Sequence, residues 1–308
     1  AKYSADHYAG VTTRLWTDQR YQHDRIRIAY LSSDFHNHAV VILTAGLFEG
    51  HDRDRFETIA ISFGDARAGD ERTRLLQSFE QFIDVRQNSD LDVAQMLREM
   101  EIDIAVDLNG HTENSRDILA YRPAPIQVSY LGYPGTMGAP FIDYIIGDKY
   151  LIPAGQQAHY SEKVVYLPDT FQVNDSKRVI VKRAPTRAEA GLPQHGFVFS
   201  CLNNNYKITP QIFNIWMRLL RNIKDSVLWL VGGNTSIENN LRREAANRGI
   251  DPSRLAFSPR FDYAEYLARY QCADLFLDTL PFNAGTTASD ALWAGLPVLT
   301  CSGEAFAA

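Results

Sequence analysis

Residues 275–300 read LFLDTLPFNAGTTASDALWAGLPVLT, and this stretch separates into three parts. Leu275-Phe276-Leu277-Asp278 is a short apolar run closing on an acid, with the length and composition of a buried strand. The segment 287–294 reads as a helix, because Gly295 and Pro297 follow it as stop signals. Val298-Leu299-Thr300 is a second strand. A strand, a helix and a strand in so few residues make a parallel β-α-β unit, since parallel strands need a crossover between them. The loop before the helix holds Gly285, and the first helical turn carries Thr286, Thr287 and Asp290, with a Thr-x-x-Asp capping spacing from Thr287. Unpaired amides and the positive end of the helix dipole favour an anion at such a place, and it follows a strand's carboxyl end, where open α/β sheets bind ligands.

Working backward, the same alternation continues. It gives a strand at 196–201, a helix near 209–222, a strand at 226–231, a helix near 236–248, a strand at 255–257 and a helix near 262–271. Before it lies 168–193, with Pro168, Pro185 and Pro193 and no clear period, which reads as a connection. A first alternation precedes that: the strand Arg27-Ile28-Ala29-Tyr30-Leu31, a helix at 40–49, a strand at 56–61, a helix at 92–100, and strands at 102–108, 126–131 and 144–146. The expected fold is therefore α/β, with two Rossmann-like doubly wound domains facing across a cleft. Residues 25–167 form the first domain, 168–193 the connection and 194–308 the second, which stops just after a strand and reads as incomplete. Residues 1–24 read as a helical lead-in.

Composition narrows the class. The chain has 308 residues, with 31 Lys plus Arg against 37 Asp plus Glu, for a formal charge of −6. That balance argues against a duplex nucleic-acid binder or a polybasic membrane binder, which need a cationic face. No run approaches the about 18 apolar residues of a membrane span, and no signal-like leader begins the chain, so it reads as cytoplasmic. Cys201, Cys272 and Cys301 are isolated and suggest neither disulfides nor a zinc site, but buried small hydrophobes.

Several loops at strand ends carry chemistry. Asn203-Asn204-Asn205-Tyr206-Lys207 follows the first strand of the second domain, and Lys207, opening the next helix, could neutralise charge on a departing phosphate. Ser32-Ser33-Asp34-Phe35-His36-Asn37-His38 follows the first strand of the first domain. A histidine there is either a general base or a neutral hydrogen-bond partner. His36 and His38 lack a carboxylate to complete a metal set, so no metal is expected. Asn109-Gly110-His111-Thr112 and Gly132-Tyr133-Pro134-Gly135-Thr136 end two further strands, placing His111, Thr112, Gly135 and Thr136 at a ligand crevice. Neither a dinucleotide G-x-G-x-x-G nor a phosphate-binding G-x-x-x-x-G-K-[ST] occurs in these places, so no cofactor is expected. Asp90-Leu91-Asp92 imitates a metal-binding D-x-D, but it lies at a helix start and reads as a cap.

Taken together, these strings resemble the catalytic region of the O-GlcNAc transferase family, including its bacterial members and the related SPINDLY-type O-fucosyltransferases. The similarity runs from about Arg25 to the end and includes YLSSDFHNH (30–38), Asn109–Thr112, LGYPGT (131–136), Tyr206-Lys207-Ile208, SVLWL (226–230), Phe257-Ser258-Pro259 and Leu277–Gly295. The resemblance implies a metal-independent, inverting glycosyltransferase of the two-domain GT-B type, usually preceded by tetratricopeptide repeats. Its substrates would be a nucleotide sugar, most simply UDP-GlcNAc, and the Ser/Thr hydroxyls of an acceptor protein. By this resemblance Lys207 holds the diphosphate, and Asn204 replaces a glutamine at the nucleotide. Thr286, Thr287 and Asp290 contact pyrophosphate and ribose, Arg269 lies near the nucleotide, and His38 lies by the sugar and acceptor. Where animal members have histidine before the two threonines, this chain has Gly285. Their base-region lysine and histidine correspond to Tyr263 and Tyr266, and an aromatic Tyr266 can stack on a base. Gly-Thr-Thr also occurs in the fucosyl branch, so GDP-fucose is the alternative donor. A silent nucleotide- or partner-binding scaffold is the reading from another class.

Overall fold

The computed structural model describes residue 8 and residues 13–65, 70–112, 114–303 and 305–306. The chain divides into two units, Ala1–Lys177 and Arg178–Ala308.

The first unit is a seven-stranded parallel sheet. Its strands are β1 (Ile26–Ser32), β2 (Phe56–Ser62), β3 (Gln81–Asp84), β4 (Ile104–Asp107), β5 (Ile126–Ser129), β6 (Tyr144–Gly147) and β7 (Lys163–Tyr166), in the order β3-β2-β1-β4-β5-β6-β7. Helices α1 (Ala39–Glu49), α2 (Asp70–Ser78) and α3 (Asp90–Glu99) make the crossovers. β1 is central and its last five residues are buried, which explains a nearly continuous apolar run in place of alternation. Because β1 lies between β2 and β4, the chain reverses direction across the sheet there, and the carboxyl ends of β1 and β4 frame the switch point.

The second unit repeats this logic with five parallel strands: β8 (Val198–Cys201), β9 (Val227–Val231), β10 (Leu255–Ser258), β11 (Leu275–Leu277) and β12 (Val298–Leu299), ordered β10-β9-β8-β11-β12. Its helices are α4 (Pro210–Asn222), α5 (Thr235–Asn247), α6 (Tyr263–Arg269) and α7 (Thr286–Trp293). Here the switch point lies between β8 and β11. The apolar face of α4, with Ile212, Phe213, Trp216, Met217 and Leu220, packs against Leu228 and Leu230 of β9 in one buried cluster.

The structure corrects some of these expectations and agrees with others. Within the lead-in 1–24, residues 1–7 and 9–12 lie outside the described residues, and 13–24 form no helix. Instead the Leu15 and Trp16 amides donate to the Tyr121 and Arg122 carbonyls at 2.9 Å, so tertiary pairing replaces helical bonding. The division between units falls within 168–193, and Ala190 and Leu192 of that stretch are buried against Val198, Val227 and Trp229. Lys207 does not open a helix: it ends a 3-10 turn at Asn205–Lys207, and α4 begins at Pro210 with Thr209 as its cap. Cys201 and Cys272 are buried, but Cys301 is exposed beyond the edge strand β12. Asp90 and Asp92 act at the start of α3: Ser89 and Asp92 form a capping box, and Asp90 binds Arg116 at 2.6 Å.

Gly132 marks a close approach of chains. A Cβ there would lie 1.8 Å from the Leu108 carbonyl oxygen, beyond what any rotamer relieves, because the obstacle is backbone. Gly132→Ala should therefore destabilise by about 1–3 kcal/mol through backbone displacement. Gly155→Ala, where nothing lies within 4 Å, should be neutral. Thermal unfolding checks the pair: equal midpoints for the two variants would contradict the packing described here.

Candidate functional site

The second-unit site is built on Asp278, the residue after β11. One carboxylate oxygen accepts the amides of Thr279 at 2.7 Å and Ala284 at 2.8 Å. The other accepts the Asn283 side-chain amide at 3.0 Å and the Thr300 hydroxyl at 2.7 Å. A buried carboxylate is tolerated because its lone pairs are filled, and each charge-assisted bond is worth about 1.5–3 kcal/mol. The bonds curl 279–284 into a fixed loop and aim the chain into α7.

α7 begins at Thr286, with Gly285 in the cap position and no side-chain cap on its amino end. The amides of Ala288 and Ser289 are taken by the Gly285 carbonyl. The expected Thr287–Asp290 cap does not form. Thr287 lies inside the helix and its hydroxyl donates to Asn203 Oδ1, while Asn203 Nδ2 donates to the Thr279 hydroxyl at 3.0 Å. Asn203, not singled out from sequence as its neighbour Asn204 was, thus ties the loop after β8 to α7.

Lys207 reaches the same place. Its Nζ donates to the Asn283 carbonyl at 3.1 Å and sits 4.0 Å from the centre of the Phe282 ring. Burial pulls the ammonium below the ordinary lysine range, while the charge of Asp278 pushes the other way. An ammonium has three N–H donors, and the Asn283 carbonyl uses one. The structure therefore brings Lys207, Gly285, Thr286 and Thr287 together around the amino end of α7.

Asp290 is turned elsewhere on the same helix. Its Oδ1 accepts from Arg178 Nη1 at 2.9 Å and from the Tyr263 hydroxyl at 2.6 Å. Burial pushes its carboxyl up to about 6 against the opposing effects of Tyr263 and Arg178. Asn204 and Tyr266 line a pocket of about 760 Å³ at the ends of β8, β9 and β10, with Gly232, Ser258 and Phe261. Tyr266 stacks near Tyr263, with ring centres 6.1 Å apart, and shares a hydrogen bond with Tyr270. Arg269 is not among the residues lining that pocket; its guanidinium packs 3.3 Å over Phe261, which is.

In the first unit, the ends of β1 and β4 meet through Asn109. Its Oδ1 accepts the Ser33 amide at 2.8 Å, and its Nδ2 donates to Ser33 Oγ at 2.7 Å and Asp34 Oδ2 at 3.1 Å. Beside it lies a pocket of about 590 Å³ whose walls include Ser33, Asp34, His36, His38, Arg86 and Thr112. His38 caps α1: its Nδ1 accepts the Val40 amide at 3.3 Å, and Asp34 Oδ2 is 3.7 Å from that nitrogen. Burial lowers its pKa, with Asp34 opposing and His36 adding to the fall.

The remaining expected residues divide. Thr112 lines this pocket, with its hydroxyl donating to the Asn109 carbonyl at 2.9 Å. His111 points its Nε2 at the Met137 carbonyl, 2.9 Å away, and lies edge-on to Tyr133. Thr136 is turned to Glu162, 2.6 Å from hydroxyl to carboxylate, and Gly135 lies against the Tyr133 ring. Neither lines the 590 Å³ pocket. Sequence reading missed Asn109 as the organiser, although its place at a strand's carboxyl end was a signal. Among the described residues no group of three His, Cys, Asp or Glu could hold a metal ion, and no helix is long and apolar enough to cross a membrane.

Comparison with known proteins places this geometry. The chain is 38% identical over 283 residues, 90% of its length, to an Arabidopsis thaliana protein named as a probable UDP-N-acetylglucosamine–peptide N-acetylglucosaminyltransferase, SEC. It is 30% identical over 301 residues, 95% of its length, to the A. thaliana protein named SPINDLY and given the same probable activity. It spans only 29% and 32% of those two proteins. A solved Thermobaculum terrenum O-GlcNAc transferase mutant superposes with a TM-score of 0.85 at 31% identity, over 92% of this chain and 54% of that one. The fold is accordingly of the GT-B type, with a Rossmann-like sheet in each unit. Residues 12–184 and 179–308 match the pattern of glycosyl transferase family 41, and the chain belongs to that family.

Proposed function

We propose that the chain is the catalytic region of a glycosyltransferase that moves a sugar, N-acetylglucosamine from UDP-GlcNAc, onto Ser/Thr hydroxyls of proteins, without a metal and with inversion. The observation that carries this reading is the convergence of the Lys207 ammonium with the uncapped amino end of α7 at the β8–β11 switch point. Family membership and the names of the relatives support the same reading.

A diphosphate at the amino end of α7 meets first-turn amides, the Thr286 hydroxyl and Lys207. Cleavage of the bond between the sugar's anomeric carbon and the β-phosphate oxygen leaves its electron pair on the phosphate. The helix dipole contributes about 0.3–2 kcal/mol there. A lysine at about 4 Å contributes about 4 kcal/mol at an effective dielectric of 20, so Lys207 is the larger effect. Those groups supply the cationic and dipolar stabilisation that a divalent ion gives other enzymes. The acceptor oxygen bonds to the opposite face of the anomeric carbon, which inverts the configuration, and its proton passes to solvent. For His38 the bond from the Val40 amide leaves the proton of the neutral ring on Nε2. In that form the ring donates to a sugar or acceptor oxygen and does not take the hydroxyl proton.

Three outcomes follow. Lys207→Ala should lower kcat by about 10²–10³ while UDP affinity falls far less, because the charge it meets develops in the transition state; near-normal kcat removes it from the mechanism. His38→Asn keeps a side-chain helix cap but loses the imidazole. It should depress transfer and leave UDP affinity intact, and unchanged transfer reduces His38 to a cap. Finally, transfer assayed with UDP-GlcNAc and with GDP-fucose should proceed with the former and survive a strong chelator. Loss on chelation with recovery on magnesium defeats the metal-free mechanism, activity with GDP-fucose alone overturns the donor, and nucleotide binding without hydrolysis or transfer supports a scaffold.

A further inference from the structure

Arg178 opens the second unit, in the stretch that reads as connection, and nothing in the sequence marks it as a site residue. It nevertheless forms a buried pair with Asp290, each side chain 3% exposed. Its Nη1 donates to Asp290 Oδ1 at 2.9 Å and to the Tyr263 hydroxyl at 3.3 Å, while that hydroxyl donates to the same Asp290 oxygen at 2.6 Å. The guanidinium carbon lies 4.6 Å over the ring of Trp293, the last residue of α7. A cation held by a carboxylate, a hydroxyl and an aromatic face is immobilised.

Asp290 occupies the same helix whose amino end is proposed to hold the diphosphate, one turn further along. A carboxylate this buried stays charged only when it is paired and hydrogen-bonded. We propose that Arg178 is a positioning residue of the nucleotide site: it keeps Asp290 charged and oriented to accept hydrogen bonds from the ribose hydroxyls, and so sets the pH range over which nucleotide binds. The inference rests on the nucleoside-diphosphate reading of this site.

The sign follows from the groups around Asp290. Arg178 favours its charged form; Tyr263, Tyr266 and Tyr270, from α6 and the turn after it, are neutral near pH 7, since burial raises all three hydroxyls. With Arg178 present the Asp290 carboxyl lies at about 6, with burial as the leading cause of the rise. Removing the guanidinium leaves burial less opposed, so Asp290 protonates at higher pH and ribose recognition fades earlier as pH falls.

The test is calorimetric titration of UDP into the whole chain, as wild type, Arg178→Gln, Arg178→Lys and Asp290→Asn, between about pH 5.5 and 8.5. The β-phosphate's own titration is common to all four and cancels in the affinity ratio to wild type. Arg178→Gln should bind about twofold more weakly at pH 7 and close to tenfold more weakly near pH 5.5, with the ratio closing toward pH 8.5, as an upward move of about one pH unit in the carboxyl requires. Arg178→Lys should recover most of that loss, and Asp290→Asn should lose the step near pH 6. A pH-independent loss in Arg178→Gln, or no recovery with lysine, reduces Arg178 to packing and overturns the proposal. Should Arg178→Gln fail to fold, Asp290→Asn decides: an unchanged pH profile overturns it. Wild type binding neither UDP nor GDP defeats the nucleotide reading itself, and the proposal with it; binding of UDP with an unaltered Arg178→Gln profile defeats the proposal alone.

Discussion

The carboxylate of Asp278 takes two amides and a carboxamide from the short loop that follows it, and the hydroxyl of Thr300 beyond β12. Without those acceptors, 279–284 would have buried donors to satisfy elsewhere, and nothing local would fix the angle at which the chain enters α7. The Asn283 carbonyl would then no longer receive Lys207, nor Asn203 the Thr287 hydroxyl. The site therefore depends on an acid that need not touch any ligand. Its work is to convert a strand end into a rigid platform on which the amides of α7 and the Lys207 ammonium are held in place.

The first unit reaches a similar end by neutral means. Asn109, after β4, uses both ends of its carboxamide to join the loop after β1. Gly64 and Gly132 let neighbouring backbone close in, each at a position where a Cβ would meet a carbonyl oxygen at under 2 Å, 1.7 and 1.8 Å respectively. An asparagine suffices there because the groups to be joined include both donors and acceptors, whereas the groups gathered at Asp278 are all donors.

Much of this was legible in the sequence. The apolar runs of β1, β4, β8, β9 and β11 are continuous because parallel strands are buried on both faces, and the polar stretches after them were recognisable as loops at the strands' carboxyl ends. What escaped detection depends on contacts distant in sequence. β3 is a short outer strand, Gln81-Phe82-Ile83-Asp84, and gives no apolar run, while Val164-Val165-Tyr166 of the outer strand β7 is too short and too exposed to stand out as a buried strand. Asp278 reads as the acid ending a strand, and only the folded loop reveals its partners. Arg178 lies 112 residues from Asp290, and no periodicity links them. The Thr287–Asp290 spacing looked like a cap because capping is a local pattern, but Asn203 and Arg178 offered those side chains better partners than the helix end. Gly285 was conspicuous for a related reason: a glycine before two threonines leaves the first-turn amides without a competing side chain.

The central claim is that the amino end of α7, held by Asp278 and joined by Lys207, is where a nucleoside diphosphate binds. The most direct test is a crystal structure of the chain with UDP. The account predicts the β-phosphate within hydrogen-bond distance of the Thr286 and Thr287 amides and of Lys207 Nζ, with the ribose near Asp290 and the base in the pocket lined by Asn204 and Tyr266. A diphosphate seated away from α7, or held with Lys207 still bonded only to Asn283, would contradict it.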